Sequence, residues 1–576
     1  MLRKIKLIAS AFLVLILFIS SINNYIGNTE LTIQADGIGY YDYLPATFIY
    51  HDLYRLNTEV NSNTSNRVAK LKGIYVKTEN GSLVNKYAVG TALLQMPFFL
   101  AVYLTEQAQP ETQAGYTLPY QKSVFYAALF YLFLSLIFLH LLLETYAISS
   151  WVIFISQLLL VLATSLTHYA NVEASFSHVY SLFAITAFLY FARQFFILRE
   201  ANLFLWSSFF FGLILILRPV NILILAALPF IAGSFENIKE GLIYLYRRYA
   251  IAGMGVCIVL LFGAFLSLIW YVQCEQFILN TYNNEEGFYF LNPQIWNILF
   301  SYKKGLFIYA PILFIAFFTL IIWFKKKQYF TLLTWLGFFI FLTYILSSWW
   351  SWFYGCSYGL RAYIDFYALF FIPIAILVQS STNWLRLGII VFGLASVYLN
   401  LVQTYQYKEY ILHWIDMDQT SYWKVFGETD RKYKGILWKR SYDLNTFELS
   451  KELPLHFNEK QDKAITFTSS QIPNFEKVSL IEISLQSNFR KASDMLVFVK
   501  LKSLADTNYY YEYHVPLIHF IDKAEGEFNT IQTGRYFYEI PFAPEQKPSN
   551  IEVIVKDKSE LDSLSHMAIK FYYKHS

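Results

Sequence analysis

The sequence predicts a polytopic α-helical membrane protein of about 11 transmembrane helices with a C-terminal extracytoplasmic all-β, sandwich-like domain. Three observations lead there. The first is composition. The 576 residues are 56% hydrophobic, 20% aromatic and 15% charged, with a mean hydropathy of +0.38. An average soluble domain is roughly 25% charged, so this chain has too little polar surface to cover a soluble globule of its size. A cytosolic enzyme is excluded on that ground. A disordered chain is excluded because low hydrophobicity and high net charge are both missing. The second observation is a series of apolar runs near the length that a bilayer core requires. The third is a change after about residue 440, where residues alternate with the period of a strand. A net charge of +4 carries no nucleic-acid signal.

The first run, at about 5–22, follows Met1-Leu2-Arg3-Lys4-Ile5-Lys6. Ser20-Ser21-Ile22 is a poor cleavage site, so the run reads as a retained span with a cytoplasmic N-terminus rather than a signal peptide. Further runs lie near 88–104, 121–143, 149–168, 176–197, 202–217, 219–233, 249–272, 306–324, 328–346, 362–379 and 384–402. Four basic loops mark the cytoplasmic side: Arg193 with Arg199; Lys239, Arg247 and Arg248; Lys325, Lys326 and Lys327; and Arg386. If every run spanned, the loop at Arg199 would fall outside. One earlier run must therefore not cross. The run 88–104 is short, contains Pro97 and sits in a polar stretch, so it reads as a helix in the outer interface. The pair 202–217/219–233 turns at Arg218-Pro219, a helix break at the outer surface.

The resulting organisation is a transmembrane domain over 1–402, a helical membrane-proximal neck over 403–439 and a β domain over 440–576. A large outer loop covers 23–120. The tail contains KVSLIEISLQS, DMLVFVKLKS, YYYEYHVPL, RYFYEIPF, NIEVIVKD and MAIKFYYK, from which five to eight strands are expected. Two sequons, at Asn63 and Asn80, matter only in a eukaryotic lumen. Cys257, Cys274 and Cys356 have no metal-site spacing, and free thiols are expected over a Cys274–Cys356 bridge.

Chemistry-bearing residues gather on the outer face. Asp36 follows the first span and opens Asp36-Gly37-Ile38-Gly39-Tyr40-Tyr41. Its glycines permit close backbone approach. Tyr40 and Tyr41 offer a flat amphipathic wall for a sugar ring or headgroup. A carboxylate between aromatic walls at a membrane boundary has its pKa raised, which suits a general base; the plainer reading is a capped turn. Glu173 and His178 lie at the start of a later span, where polar groups face the interior or a cavity. Glu173 also suits a helix N-terminus with no further role. Lys86, Arg218, Lys303, Lys304 and Arg361 are the cations of this face. Arginine suits bidentate phosphate binding. Lys303 and Lys304 run against the positive-inside rule, which favours an anionic ligand. Arg361 ends a Trp-rich stretch in which Gly355 and Gly359 argue for a shaped loop and Trp352 for a substrate wall. Two carboxylates, several cations and many aromatic rings at one boundary suit a lipid-linked phosphate substrate.

On these residues the chain resembles the polytopic glycosyltransferases of the GT-C fold, especially the bacterial family (glycosyltransferase family 39) that includes protein mannosyltransferases and aminoarabinose transferases. The resemblance covers roughly residues 5–400. Asp36 occupies the place of the family's carboxylate after the first span, and Glu173 that of the acid between the third and fourth spans. The family's Lys/His-Pro-Pro-Leu stretch is replaced by Asn85-Lys86-Tyr87-Ala88-Val89-Gly90, so only Lys86 carries over. The segment ending in Gly359-Leu360-Arg361 is similar to one in many bacterial members. The resemblance implies inverting transfer of a sugar from a polyprenyl-phosphate donor to a glycan, lipid or protein acceptor. Asp36 would be the base, Glu173 a second catalytic acid that orients the acceptor or shares the proton, and the five cations would stabilise the phosphate. Some members place a divalent metal between such carboxylates and others do not, so a metal held by Asp36 and Glu173 is left open. The implied setting is a bacterial inner membrane with the β domain in the periplasm, acting there as an accessory carbohydrate-binding or acceptor-positioning module. A transporter or flippase would need ionisable groups deep in the helices and inverted repeats. A polymerase or ligase of lipid-linked glycans would carry its large loop late in the chain.

Overall fold

The computed structural model describes residues 2–26, 32–51, 53, 74–78, 82–106, 115–279, 286–430, 433, 437, 444, 447–454, 464–487, 496–502, 510–516, 532–539, 550–556 and 564–574. Asn63 and Asn80 lie outside them. The chain forms two compact units, Met1–Lys408 with Trp414–Gly427, and Glu409–His413 with Glu428–Ser576.

The first unit is that of a multi-pass membrane protein. Seven helices are long and apolar enough to cross a bilayer: Leu7–Ile26, Leu118–Glu144, His178–Leu198, Tyr249–Cys274, Tyr329–Ser347, Arg361–Ser380 and Asn383–Lys408. The other four predicted spans are short or broken, and the causes are local. The run 149–168 stops as an α-helix at Leu162. There Thr164 and Thr167 donate to the carbonyls of Leu160 and Val161 at 2.6 Å, and Asn400 Nδ2 donates to that of Leu162 at 2.9 Å. Side chains thus take over the carbonyls that a further turn would use. The run 219–233 opens as a 3-10 helix, Pro219–Ala227, and continues as Leu228–Ala232. The run 306–324 divides into Leu306–Tyr309, a 3-10 helix Pro311–Phe318 and Thr319–Lys325. Proline lacks the N–H and fixes φ, so each break begins at one.

A helix also forms where a cytoplasmic loop was expected. Phe235–Arg247 lies where the charges pointed to a loop, bent by 114° from Pro219–Ala232. The Ser234 side chain caps it by accepting from the Asn237 N–H at 3.1 Å. Close helix contacts use glycine. A Cβ at Gly212 would meet the Phe262 ring at 2.3 Å, and one at Gly255 the Phe204 ring at 2.4 Å, so Ala201–Leu217 packs tightly on Tyr249–Cys274. The last long helix continues past the expected 402 to Lys408. After it, helix Gln419–Lys424 is capped by Asp418, which accepts from the Ser421 N–H at 2.7 Å.

Different contacts mark the two ends of this unit. At one end Arg193 donates to Thr145 Oγ1 at 2.7 Å and to the Ile231 carbonyl at 2.9 Å, and Arg386 lies 5.3 Å from the Trp151 ring centre. At the other, the Thr32 and Ile33 N–H groups donate to Gln121 Oε1 at 2.9 and 2.7 Å. The chain therefore leaves the first helix and enters Leu118–Glu144 at the same end. The helix between them, Gly90–Glu106, carries no net crossing.

A hairpin of β1 (Tyr75–Lys77) and β2 (Leu83–Asn85) precedes it, with Val76 opposite Val84. The second unit is all-β. It contains β3 (Phe447–Pro454), β4 (Ala464–Thr468), β5 (Val478–Ser487), β6 (Leu496–Lys502), β7 (Tyr510–Pro516), β8 (Gln532–Glu539), β9 (Asn550–Lys556) and β10 (Leu564–Lys574). Two four-stranded antiparallel sheets result, ordered β3-β10-β5-β8 and β4-β9-β6-β7. β3 and β4 were not among the alternating stretches read from the sequence. In β5 the consecutive residues Leu480 to Ile483 are all buried, so both faces of that strand are covered.

Candidate active site

Asp36 is presented by a stitched loop. The Thr32–Ile33 backbone is held by Gln121, Ser175 Oγ donates to the Thr32 carbonyl at 2.7 Å, and Gln34 Nε2 reaches the Val172 carbonyl at 3.2 Å. Ala35 then takes φ 47°, ψ −133°, a region costly for a residue with a Cβ. Asp36 starts the short helix Asp36–Tyr41. A Cβ at Gly37 would lie 1.8 Å from Ser175 Oγ, and one at Gly39 would lie 2.1 Å from the Tyr87 ring. The two glycines let this helix press against the two segments that complete the site.

Tyr87 is one of those segments. It follows β2, and its N–H donates to Asn85 Oδ1 at 3.0 Å while Asn85 Nδ2 donates to the Gly39 carbonyl at 2.7 Å. Its hydroxyl donates to Asp36 Oδ1 at 2.8 Å. Arg361 meets the other oxygen, with Nη2 2.7 Å from Oδ2. It arrives at the start of Arg361–Ser380 after a loop in which Tyr354, Gly355 and Gly359 all have positive φ. A Cβ at Gly359 would stand 3.2 Å from Tyr309 Cβ. The Arg361 guanidinium rests 5.2 Å from the Phe176 ring centre. The Asp36 side chain keeps a third of its surface exposed and Arg361 14%.

The expected direction of the Asp36 pKa is reversed. Burial pushes the carboxyl up, but the Arg361 charge and the Tyr87 hydrogen bond outweigh it and hold Asp36 below the usual carboxylate range. Burial and the adjacent carboxylate push the Tyr87 phenol up, so it stays a donor. Tyr40 packs tilted against Tyr87, ring centres 4.9 Å apart, and its phenol is also raised by burial. Its phenol lies in the fields of Arg218, Asp36 and Arg361 together.

A second cluster forms where several apolar helices begin or end. Asp365 Oδ1 meets His178 Nδ1 at 2.8 Å, and Oδ2 accepts from Arg218 Nη1 at 2.7 Å and Asn221 Nδ2 at 2.8 Å. Asp365 is fully buried. Sequence reasoning missed it as a functional candidate, although an acid inside an apolar run is itself a signal. Tyr87 was missed for a different reason: nothing in a lone tyrosine says which carboxylate it will meet.

The other predicted residues fall as follows. Arg218 and His178 belong to the Asp365 cluster. His178 is therefore buried among protein groups and does not form a substrate wall. Tyr41 is not a wall either: it is fully buried and donates to the Gly115 carbonyl at 2.6 Å. Lys304 is buried, and its amine is spent on the Ser357 and Trp414 carbonyls, so it pins loops together rather than facing a phosphate. Burial pushes its pKa down to about 7. Lys303 lies 4.1 Å from the Phe353 ring centre and Lys86 5.5 Å from that of Tyr87. Trp352 is half-buried with its ring 5.8 Å from that of Phe353. Glu173 is buried with Oε2 3.2 Å from His168 Nε2. Both Asp36 oxygens are engaged by Arg361 and Tyr87 while Glu173 faces His168, an arrangement that does not fit a divalent ion shared by the two acids. Among the described residues no three His, Cys, Asp or Glu side chains group as a metal site. All three cysteines are free.

No known family's sequence model matches the chain, and no curated protein does. Among solved structures it is similar to the oligosaccharyltransferase AglB from Archaeoglobus fulgidus in complex with an inhibitory peptide and a dolichol-phosphate. The TM-score is 0.38 and the identity 10%, over 69% of this chain and 55% of that one. The apo Archaeoglobus fulgidus oligosaccharyltransferase gives 0.37 and 9%, over 69% and 56%. The chain thus spans about half the length of these structures.

Proposed function

We propose that the chain is a GT-C-type membrane glycosyltransferase that moves a sugar, with inversion, from a polyprenyl-phosphate donor to a hydroxyl of an envelope glycan, lipid or protein. One observation carries this reading: a part-exposed carboxylate and a part-exposed arginine are in contact at the mouth of an apolar helix bundle. A base for the acceptor and a cation for a phosphate are the two groups that such a transfer needs at one point. The acceptor hydroxyl gives its proton to Asp36, and its oxygen bonds to the anomeric carbon from the face opposite the lipid. The bond from that carbon to the phosphate oxygen breaks, and the electron pair leaves with the polyprenyl phosphate. Arg361, with Lys86 and Lys303 nearby on the same face, receives the charge. In the unloaded site Arg361 holds Asp36 ionised but weakly basic. A donor phosphate that draws Arg361 to itself returns the carboxylate toward its ordinary basicity.

The reading places the site on the extracytoplasmic side of a bacterial inner membrane. The cations Arg193 and Arg386 at the opposite end of the helices support this sidedness. The β unit is then an accessory domain for the acceptor. The test is deletion of the gene in its host, profiling of envelope glycans and glycoproteins by mass spectrometry, and complementation. Loss of one sugar that wild type restores and stably expressed Asp36→Asn does not is the expected result. Full rescue by Asp36→Asn removes Asp36 from the mechanism. Accumulation of whole glycans on the inner face replaces transfer with transport.

A further inference from the structure

We propose that Asp365, with His178 and Asn221, is a positioning residue that fixes Arg218 as a second cation for the phosphate of the lipid-linked donor. The inference rests on the transferase reading above.

The cluster is assembled from separate apolar segments. His178 opens His178–Leu198, Asp365 lies in Arg361–Ser380, and Arg218 and Asn221 stand at the junction of Ala201–Leu217 with Pro219–Ala227. Arg218 sits at that junction because Pro219 ends the regular helix. A Cβ at Gly90 would lie 2.5 Å from the Ile216 carbonyl, so this end is also clamped by the segment that carries Lys86 and Tyr87. Asp365 is engaged at both oxygens: one meets His178 and the other accepts from Arg218 and Asn221. A buried ion pair of this kind is weak evidence for stability, since apolar side chains of similar volume would serve as well. Enclosed ionisable groups in membrane-spanning segments are functional-site candidates by default.

What the cluster accomplishes is orientation. Of the five N–H donors of a guanidinium, Arg218 among the described residues commits Nη1 to Asp365, and His178 Nδ1, which faces the same carboxylate, lies 3.4 Å from that nitrogen. The side chain retains 15% exposure. It therefore has one nitrogen anchored in the interior and further donors available at its exposed edge. Tyr40 links it to the first site, since Arg218 and Arg361 both act on that phenol. The two arginines differ in one respect. The partner of Arg361 is Asp36, which must be released for the reaction, whereas the partner of Arg218 is fully buried and stays in place. Arg218 is then the constant anion receiver and Arg361 the exchanging one.

The test uses the full chain in nanodiscs with undecaprenyl phosphate as the probe. Binding is measured by titration calorimetry for wild type, Arg218→Gln, Asp365→Asn, the double variant, Asn221→Ala and Arg361→Gln. Asp365→Asn and Arg218→Gln are each expected to weaken binding by about tenfold or more, the worth of a charge-assisted contact. The double variant is expected to bind no more weakly than Arg218→Gln alone, because Asp365 acts through Arg218. Fully additive losses, or wild-type affinity in Asp365→Asn, overturn the inference. If Asp365→Asn does not fold, Asn221→Ala decides: roughly threefold weaker binding that vanishes in the Arg218→Gln background supports positioning, and unchanged affinity overturns it. Loss of binding in Arg361→Gln alone overturns this inference and leaves the transferase reading standing. Absence of binding by wild type overturns both.

Discussion

Among the described residues two aspartate–arginine pairs share the same 2.7 Å contact and differ in how far the carboxylate is enclosed. Asp36–Arg361 sits at the boundary, with a third of the carboxylate exposed and a tyrosine on its other oxygen. Asp365–Arg218 sits among apolar helices, with its carboxylate fully buried and a histidine and an asparagine completing its hydrogen bonds. A pair whose carboxylate is partly open to water is worth less than a fully enclosed one, because water screens it and competes for it. A buried pair is expensive to break, because the survivor is left as an uncompensated charge. Similar geometry thus yields a pair that can open during a reaction and a pair that holds its members still.

Substitution separates the two. Asp36→Asn is expected to cut sugar transfer by about 10³-fold, within the usual range for a lost general base, while the thermal midpoint stays near wild type. Asp365→Ala is expected to lower stability by about 3–5 kcal/mol, seen as an earlier thermal unfolding transition. If the two variants lost stability equally, the distinction between an opening pair and a holding pair would fail.

Arg361→Gln sharpens the same comparison through pH. The cation is what holds Asp36 below its ordinary range, and burial alone pushes the carboxyl up. Without Arg361 the Asp36 pKa should rise, and the acid limb of the pH–rate profile should move to higher pH. An unmoved acid limb in a variant that still turns over would mean that Asp36 is not the group being titrated.

Gly39→Ala acts on the opening pair from behind. The added methyl would stand 2.1 Å from the Tyr87 ring, and Tyr87 holds Asp36 Oδ1. Either the ring or the short helix has to shift. The expected cost is about 2–3 kcal/mol, the upper part of the range for overpacking, together with reduced transfer. Gly337, which meets nothing within 4 Å, is the control position for the same substitution.

These contrasts show what the sequence could and could not reveal. Asp36 stands out because a Gly-x-Gly turn and paired tyrosines follow a span. Arg361 stands out because it closes a Trp- and Gly-rich loop. Their contact is a property of the fold, since 36 and 361 are brought together by the Gln121 and Ser175 stitches and the positive-φ turns before Arg361. Asp365 hides because one acid barely lowers the hydropathy of the run that contains it. Tyr41, His178 and Lys304 carry the right chemistry and face inward, and residue type does not reveal facing. The breaks at Pro219 and Pro311 are visible as prolines, but the helix Phe235–Arg247 is not visible by hydropathy because its charges read as a loop. In the β unit, alternation exposes the strands that keep it. β3 escapes because it carries Glu448, Lys451 and Glu452, and β4 because it is only five residues long.

Lys304 offers the gentlest test, because it is a buried charge that belongs to neither pair. Its amine is enclosed and donates to the Ser357 and Trp414 carbonyls, which ties the loop before Arg361 to the segment after the last long helix. Burial lowers its pKa from 10.5 to about 7. Below pH 7 the folded and unfolded chains both carry the charge, and the fold bears the full cost of desolvating it. Above pH 7 the folded chain releases the proton while the unfolded chain keeps it until about 10.5, so the unfolded state binds more protons and stability rises with pH. Between pH 7 and 8.5 the gain is expected to reach at most about 2 kcal/mol. It should appear as a thermal midpoint that climbs across this interval in wild type. In Lys304→Met the climb should flatten, and the midpoint at pH 7 should not fall by the amount expected for a lost salt bridge. A midpoint that climbs equally in both proteins would assign the slope to another group. One that falls steeply in the variant would mean that the amine is charged in the fold and that its two carbonyl contacts compensate its burial.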